Sequence, residues 1–473
     1  MEHGTAYKSV LRNAAYIFFI KLFPAFASIV ILILYSRSLS PSDYGHYQSF
    51  WIKWLLLGTL AYAGLPVTII TYAADVLKHF FRQFRLKHYL LFCCWVLLWV
   101  AVFSWFQATE LSLPIALSAG LLIFYVIHSV QESLLMAAKK MKGLLALNFL
   151  YAVYFFLIHL QALQQFDLTR LLFLLLLGMI VRSVVLTFFT VAVYRRVNTE
   201  ASSIIAIKNA RSLWLHLGFY DLLQNIFRFI DKFILSIFLS AGLYAVYFNG
   251  SQTAEVPLLP YLLGAVASSV LIQLSNDKNT SRERAFRLMH ASGKLLSCIV
   301  FPLFFFLLFF SRELFVVLLS EKYLSSVAIF TVAIFVVPLR AYNFTLLLQH
   351  FHKGALINKG ALLDLAIALA LMYPMYQLFH LPGIALSFVI STYVQVGYYL
   401  YHITKVTGAS LQQLLPIKNW LIKLVLFGVL LLSAYLLASG FLVNKILVLI
   451  AGLLVMTAGS LFTLQREYKA LKK

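Results

Sequence analysis

Residues 360–404 read GALLDLAIALALMYPMYQLFHLPGIALSFVISTYVQVGYYLYHIT, with Asp364 the single charged side chain. A helix needs about 20 mostly apolar residues to cross the hydrocarbon core of a bilayer, so this stretch is long enough for two. Leu381-Pro382-Gly383 divides it, because proline starts a helix well and interrupts one poorly. The reading is a pair of neighbouring membrane helices, 360–379 and 381–404. The same criterion, worked outward, yields fourteen segments: 14–35, 46–70, 88–106, 113–138, 145–165, 170–194, 213–239, 243–274, 292–310, 324–346, 360–379, 381–404, 417–438 and 443–464. The chain is 62% hydrophobic and 11% charged, about half the charged share of a soluble domain. The predicted fold class is all-α, a polytopic membrane protein with 14 transmembrane helices.

Lysine and arginine set the expected orientation. With the N-terminus inside, the loops assigned to the cytoplasm hold clusters at Lys78–Lys87, Lys139–Lys142, Arg195–Arg211 and Lys278–Lys294, then Lys353, Lys359, Lys405, Lys418 and Lys423, and the basic tail ends the set. The opposite side holds only Arg37, Arg170, Arg312, Lys322 and Lys445. This is the asymmetry of the positive-inside rule, which applies because the loops are short. The expected location is a bacterial inner (plasma) membrane, with both termini cytoplasmic. The first apolar run is too long for a signal-peptide core and lacks a small-residue cleavage site, so it is expected to be retained as a helix.

The formal net charge of +22 would suggest nucleic acid in a soluble protein. Here the basic residues punctuate apolar segments, so no nucleic acid partner is expected, and the bilayer itself is the partner. Cys93, Cys94 and Cys298 all lie in apolar runs without metal-ligand spacing. No HExxH, glycine-rich nucleotide loop or GxSxG is present. The expectation is a protein that is not an enzyme and holds no cofactor or metal.

Six basic residues fall inside predicted spans: Lys21, Lys53, Arg182, Arg228, Lys232 and Arg340. Each costs roughly 2.5–3.5 kcal/mol at a bilayer centre, so such groups normally face the bundle interior or water. Three acidic residues share that depth: Asp231, Glu255 and Asp364. The seventh span is the most informative. In DLLQNIFRFIDK, residues 221–232, Gln224, Arg228 and Lys232 recur every four residues and share one helix face. Such a stripe suits an anionic ligand; the alternative is an Arg228–Asp231 ion pair with Lys232 snorkelling. Lys53 and Arg340 either join the cavity or are satisfied locally, Lys53 by snorkelling outward and Arg340 by the carbonyl freed at Pro338. Lys21 is near enough to the cytoplasmic face to snorkel. Arg182 has no charged companion at helical spacing and is read as structural. Glu132 is read as a solvated charge near a helix end. Glu255 precedes Pro257 and Pro260, and a broken helix beside a carboxylate is a transporter device for ions or substrate. Glu255 and Asp364 are therefore candidates for proton or sodium coupling, and Asp231 for charge pairing.

Residues 33–47 read ILYSRSLSPSDYGHY, which resembles the R-x-L-S-x-x-D/E-Y-G-x-Y turn between the first two helices of polysaccharide-biosynthesis flippases. These form the Wzx-like branch of the multidrug/oligosaccharidyl-lipid/polysaccharide (MOP) exporter superfamily. Residues 231–240, DKFILSIFLS, with Gly242-Leu243-Tyr244, are similar to that family's join between helices seven and eight. Residues 314–320, LFVVLLS, with Tyr323, and residues 381–387, LPGIALS, also match. At Ser320-Glu321-Lys322 the family's common glycine is missing. The two halves echo each other, Tyr44-Gly45-His46-Tyr47 against Tyr244-Ala245-Val246-Tyr247.

The resemblance implies two six-helix lobes around a central cavity, with alternating access: an N-lobe over 1–200, a C-lobe over 201–408, and two additional helices over 409–473. The implied cargo is an undecaprenyl-diphosphate-linked oligosaccharide, moved from the cytoplasmic to the outer leaflet for cell-surface polysaccharide. The diphosphate would be held by Arg228 and Lys232, with Gln224, Lys53 and Arg340 in the cavity. Other polysaccharide-assembly membrane proteins would be partners. The alternatives are a multidrug exporter of small cations, whose cavity should be acidic or neutral, and a membrane-embedded glycan polymerase, which would need a larger external loop.

Overall fold

A computed structural model of the chain describes residues 20, 22–72, 74–197, 207–254, 259, 263, 282–351 and 353–472. Lys21 and Glu255 lie outside the described residues, as do 264–281, which include Lys278 of the Lys278–Lys294 cluster. Among the described residues the regular structure is entirely helical. Each of the fourteen predicted segments contains a helix. Among the described residues eight helices are long and apolar enough to cross a membrane, and Leu22–Ser38 and Ser326–Ala341 are shorter apolar ones. One of the eight, Gly354–Thr407, turns at His380 (φ 54°, ψ −140°), one residue before the Leu381-Pro382-Gly383 punctuation. It therefore supplies both spans of residues 360–404.

The chain gathers into two compact units, Met1–Tyr244 and Ala245–Lys473. In the first, α1 (Leu22–Ser38) leads into α2 (Pro41–Tyr62), whose start explains the Ser-Pro-Ser-Asp motif. Ser40 is the N-cap, its hydroxyl oxygen accepting from the Asp43 amide at 3.1 Å, and Pro41 occupies the first turn, where a missing N–H costs nothing. The predicted span 46–70 is not one helix. Ala63 and Gly64 both adopt left-handed backbone angles, and α3 (Leu65–Ile70) resumes with Pro66 in its first turn. Hydropathy runs on across that break, which is why an apolar-length reading passes over it. The unit continues with α4 (Ala74–Arg82), α5 (Leu86–Leu111), α6 (Ile115–Ala137), α7 (Met141–Ala162), α8 (Leu168–Arg195) and α9 (Ile207–Phe238). Compactness groups α9 with the helices before it, whereas the sequence reading begins the second lobe at residue 201.

Helix α2 is buried along most of its length and packs against α5 and α9. Its two ends meet α9 and the turn that follows it by close backbone approach. A Cβ on Gly45 would lie 1.9 Å from the Ala241 carbonyl oxygen, and one on Gly64 2.1 Å from Gly218 Cα. At the Gly64 end the Trp214 indole also donates to the Ala63 carbonyl at 2.7 Å. Thus α2 and α9 run antiparallel and touch at both ends. The first contact joins the two sequence echoes: the turn before Tyr44 and Tyr47 rests on the turn before Tyr244 and Tyr247, and all four tyrosines are buried. His159 belongs to this aromatic core, its Nδ1 donating to the Phe155 carbonyl at 2.7 Å and its Nε2 accepting from the Tyr47 hydroxyl at 3.0 Å.

In the second unit α10 (Ala241–Thr253), which starts four residues before the boundary, is followed by α11 (Arg282–Phe309), α12 (Ser311–Leu318) and α13 (Ser326–Ala333). A 3-10 segment (Ile334–Ala341) carries Pro338. After it come α14 (Leu346–His350), α15 (Gly354–Thr407), α16 (Leu411–Leu414), α17 (Ile417–Phe441) and α18 (Lys445–Lys472). The last two helices are clamped to α11 by polar groups. Lys423, which the sequence reading counts among the cytoplasmic topology charges, is buried. Its ammonium donates to the Lys294 carbonyl at 2.7 Å and the Ser297 hydroxyl at 3.1 Å, and pairs with Glu467 at 3.1 Å. The Trp420 indole adds a bond to the Gly293 carbonyl at 3.1 Å.

Candidate functional site

Helix α9 carries the predicted stripe, and the structure divides it. Gln224 and Arg228 are exposed, the guanidinium lying 5.2 Å from the Phe229 ring centroid. Lys232 is buried, donating to the Arg228 carbonyl at 3.2 Å and lying 3.5 Å from the Asp231 carboxylate. Contrary to the alternative reading, Lys232 does not snorkel: it is buried beside Asp231. One turn of helix thus presents a guanidinium outward and, behind it, an ammonium beside a carboxylate. Because a guanidinium is a planar fork with several donors, it matches phosphate oxygens in a way a lone ammonium does not.

Lys53, on α2, does not snorkel outward. It is fully buried, its ammonium donates to Ser49 Oγ at 2.8 Å, and it forms an ion pair with Glu110 near the end of α5. The Phe106 ring centroid lies 6.0 Å from the same nitrogen and 5.8 Å from that of Phe233 on α9, so an aromatic pair links Lys53 to the helix of Arg228. Arg182 is satisfied in the same manner. It pairs with Glu132, donates to Asn148 Oδ1 at 2.8 Å, and lies 4.2 Å from the Tyr151 ring centroid. This agrees with a structural role for Arg182 and corrects the reading of Glu132 as merely solvated. The expected cationic excess inside the spans is correspondingly smaller, because two of the six basic groups have carboxylate partners on other helices. Glu110 escaped notice because the third span was ended at residue 106, whereas α5 runs to Leu111.

In the second unit, Arg340 is half-buried in the 3-10 segment, two residues after Pro338. A proline has no N–H to give the helical ladder, and the tighter winding here accommodates that loss. Asp364, in the first half of α15, is buried at 2% exposure, with Ser391 of the second half beside it. Its Oδ1 has no hydrogen-bond partner among the described residues. Buried carboxylate oxygens are rarely left so.

The comparisons with known proteins bear on what these helices belong to. Residues 34–328 match the model of a family described as polysaccharide biosynthesis protein. No curated protein matches the chain by sequence. Among solved structures the chain is similar to "Lipid II flippase MurJ, inward closed conformation", with a TM-score of 0.64, 15% identity, and coverage of 98% of this chain and 100% of that one. It is also similar to an inward-facing multidrug resistance MATE family transporter of the MOP superfamily (TM-score 0.59, 13% identity, 84% of this chain and 99% of that one). A third is a MOP superfamily transporter from Pyrococcus furiosus (TM-score 0.55, 12% identity, 85% and 96%). At these identities the likeness shows the fold, and the family model shows the family. This chain is a multi-pass membrane protein with the fold of the MOP transporters, and it belongs to the polysaccharide biosynthesis protein family.

Proposed function

We propose that this protein is a flippase that moves a polyprenyl-diphosphate-linked oligosaccharide from the cytoplasmic to the outer leaflet of a bacterial inner membrane. The observation that carries the reading is the placement of Arg228 and Lys232 one turn apart on the 32-residue helix α9, in a member of a polysaccharide-biosynthesis family. A diphosphate entering a membrane needs cationic donors there, and it strengthens every hydrogen bond it accepts because the surroundings are poorly solvating. In this reading Arg228 engages the diphosphate first. Lys232 follows when its contact with Asp231 is exchanged for one with the ligand. Gln224 extends the same face toward the sugars. Lys53 acts through its ion pair with Glu110, holding α2 and α5 in place beside α9.

Transport against a gradient needs a coupled ion, and Asp364 is the proposed site. A carboxylate buried without a cation can take up a proton or sodium ion and so exist in two charge states. Glu255 is the second candidate. The termini are placed in the cytoplasm by the basic loops, and the protein is proposed to act as a transporter rather than as an enzyme, beside other polysaccharide-assembly proteins.

Depleting the protein in its host and measuring polyprenyl-diphosphate oligosaccharides by mass spectrometry tests the reading. The expected result is accumulation of lipid-linked repeat units together with loss of surface polymer. Unchanged lipid intermediates, with new sensitivity to cationic drugs, would favour an exporter of organic cations instead.

A further inference from the structure

Helix α4 is too short to span a membrane and is held between two elements that end at its surface. Nine residues of α-helix extend about 14 Å, and only Gln83, Phe84 and Arg85 separate α4 from the long apolar α5. Leu77, Phe80, Phe81 and Phe84 recur at i, i+3, i+4 and i+7, which gathers them on one side. Leu77 is buried, while the three phenylalanines are half-buried and packed on one another, Phe80 and Phe84 at 4.7 Å between centroids. The turn into α5 is tied down on the same aromatic group. The Tyr89 hydroxyl donates to the Phe81 carbonyl at 2.8 Å, the Arg85 amide donates to His88 Nδ1 at 3.1 Å, and the His88 ring lies 5.5 Å from that of Phe84. At the other edge, Lys78 donates to the Val197 carbonyl at 2.7 Å, fastening α4 to the segment after α8.

This segment carries a dense positive charge. Lys78, His79, Arg82, Arg85, Lys87 and His88 fall within it, and Asp75 is the only acidic residue between positions 74 and 109. Arg82, Arg85 and Lys87 are exposed, and none forms an ion pair with a described residue. An aromatic wedge with cations beside it, fixed at the end of two membrane helices, has the chemistry of an interfacial lipid-binding helix. We propose that α4 and the turn to α5 bind the phosphate headgroups of anionic phospholipids, with Phe80, Phe81 and Phe84 seated at the acyl boundary and Arg82, Arg85 and Lys87 on the phosphates. The site is separate from the α9 stripe, and its occupant is the surrounding lipid.

Native mass spectrometry and thermal melting of the purified protein test this, with phosphatidylglycerol compared against phosphatidylcholine. The expected result is retained phosphatidylglycerol adducts and a higher melting temperature in that lipid alone. The Arg82→Gln/Arg85→Gln/Lys87→Gln variant is expected to weaken this binding by on the order of a hundredfold, while melting unchanged in phosphatidylcholine. A second variant, Phe80→Ser/Phe81→Ser, keeps every charge and is expected to lose the melting shift as well. Equal binding of both lipids by the unmodified protein, or phosphatidylglycerol binding untouched by the charge variant, would overturn the proposal. So would stabilisation through these three residues by inorganic diphosphate and not by phosphatidylglycerol, since that would assign the site to a free phosphate ligand.

Discussion

Replacing Arg228 and Lys232 by alanine, together with Asp231 by asparagine, is expected to abolish surface polymer while the protein still reaches the membrane at its normal level. Two charge-assisted hydrogen-bonding groups would be lost from the proposed diphosphate site, each contributing about 1.5–3 kcal/mol. Together this is a weakening of roughly 10²–10⁴-fold. Lys232→Ala alone would take away the ammonium that lies 3.5 Å from the buried Asp231 carboxylate, and removing one member of a buried ion pair destabilises a fold. The informative variant is therefore Arg228→Ala/Asp231→Asn/Lys232→Ala, which removes both cations together with the charge of the neighbouring carboxylate. It is expected to accumulate lipid-linked oligosaccharide by mass spectrometry with unchanged protein abundance. Full surface polymer from this variant would remove α9 from the substrate site.

The second large effect is expected at Gly45. Even a methyl group there would meet the Ala241 carbonyl oxygen at 1.9 Å and its carbon at 2.5 Å. These are backbone atoms and cannot rotate away. Gly45→Val should force α2 and the α9–α10 turn apart, at a cost of about 1–3 kcal/mol or more. In a transporter that alternates between states, this disfavours the state in which the two turns touch by roughly 5–150-fold. The expected outcome is protein that is made and inserted but transports little, with a lowered melting temperature in the purified form. Gly242→Ala supplies the control. A Cβ at Gly242 would come no closer than 3.9 Å to Pro41, an ordinary contact, so transport and melting should both be retained. Undiminished transport by Gly45→Val would show that the contact is not needed.

The long apolar runs were enough to make the chain an all-helical membrane protein, because spanning a bilayer demands a length that few soluble helices share, and the described helices are consistent with the fourteen expected segments. The start of α2 at Pro41, after the Ser40 cap, lies five residues before the expected border at residue 46, because a cap made of polar residues does not register in hydropathy. The α2 break at Ala63–Gly64 was not legible, because the residues around it stay apolar and only backbone angles change. The charge pairs were the hardest. Lys53 finds Glu110, Arg182 finds Glu132 and Lys423 finds Glu467, each on another helix. Helical spacing reveals only neighbours on the same helix, so Arg182 looked companionless and Lys423 looked like a loop charge. The stripe on α9 was visible for the same reason that these pairs were hidden. Even there, the inward turn of Lys232 toward the adjacent Asp231 depends on packing that spacing does not encode.

The central claim is that this chain itself moves a diphosphate-linked lipid across a bilayer. It is tested most directly by reconstituting the purified protein in liposomes loaded with a polyprenyl-diphosphate-linked sugar probe. Probe appearing at the outer leaflet is then measured by its accessibility to an impermeant glycan-modifying enzyme. The account predicts protein-dependent translocation that is lost in Arg228→Ala/Asp231→Asn/Lys232→Ala. Translocation equal to that of protein-free liposomes under an imposed proton or sodium gradient of either sign, from protein shown to be folded, would contradict it.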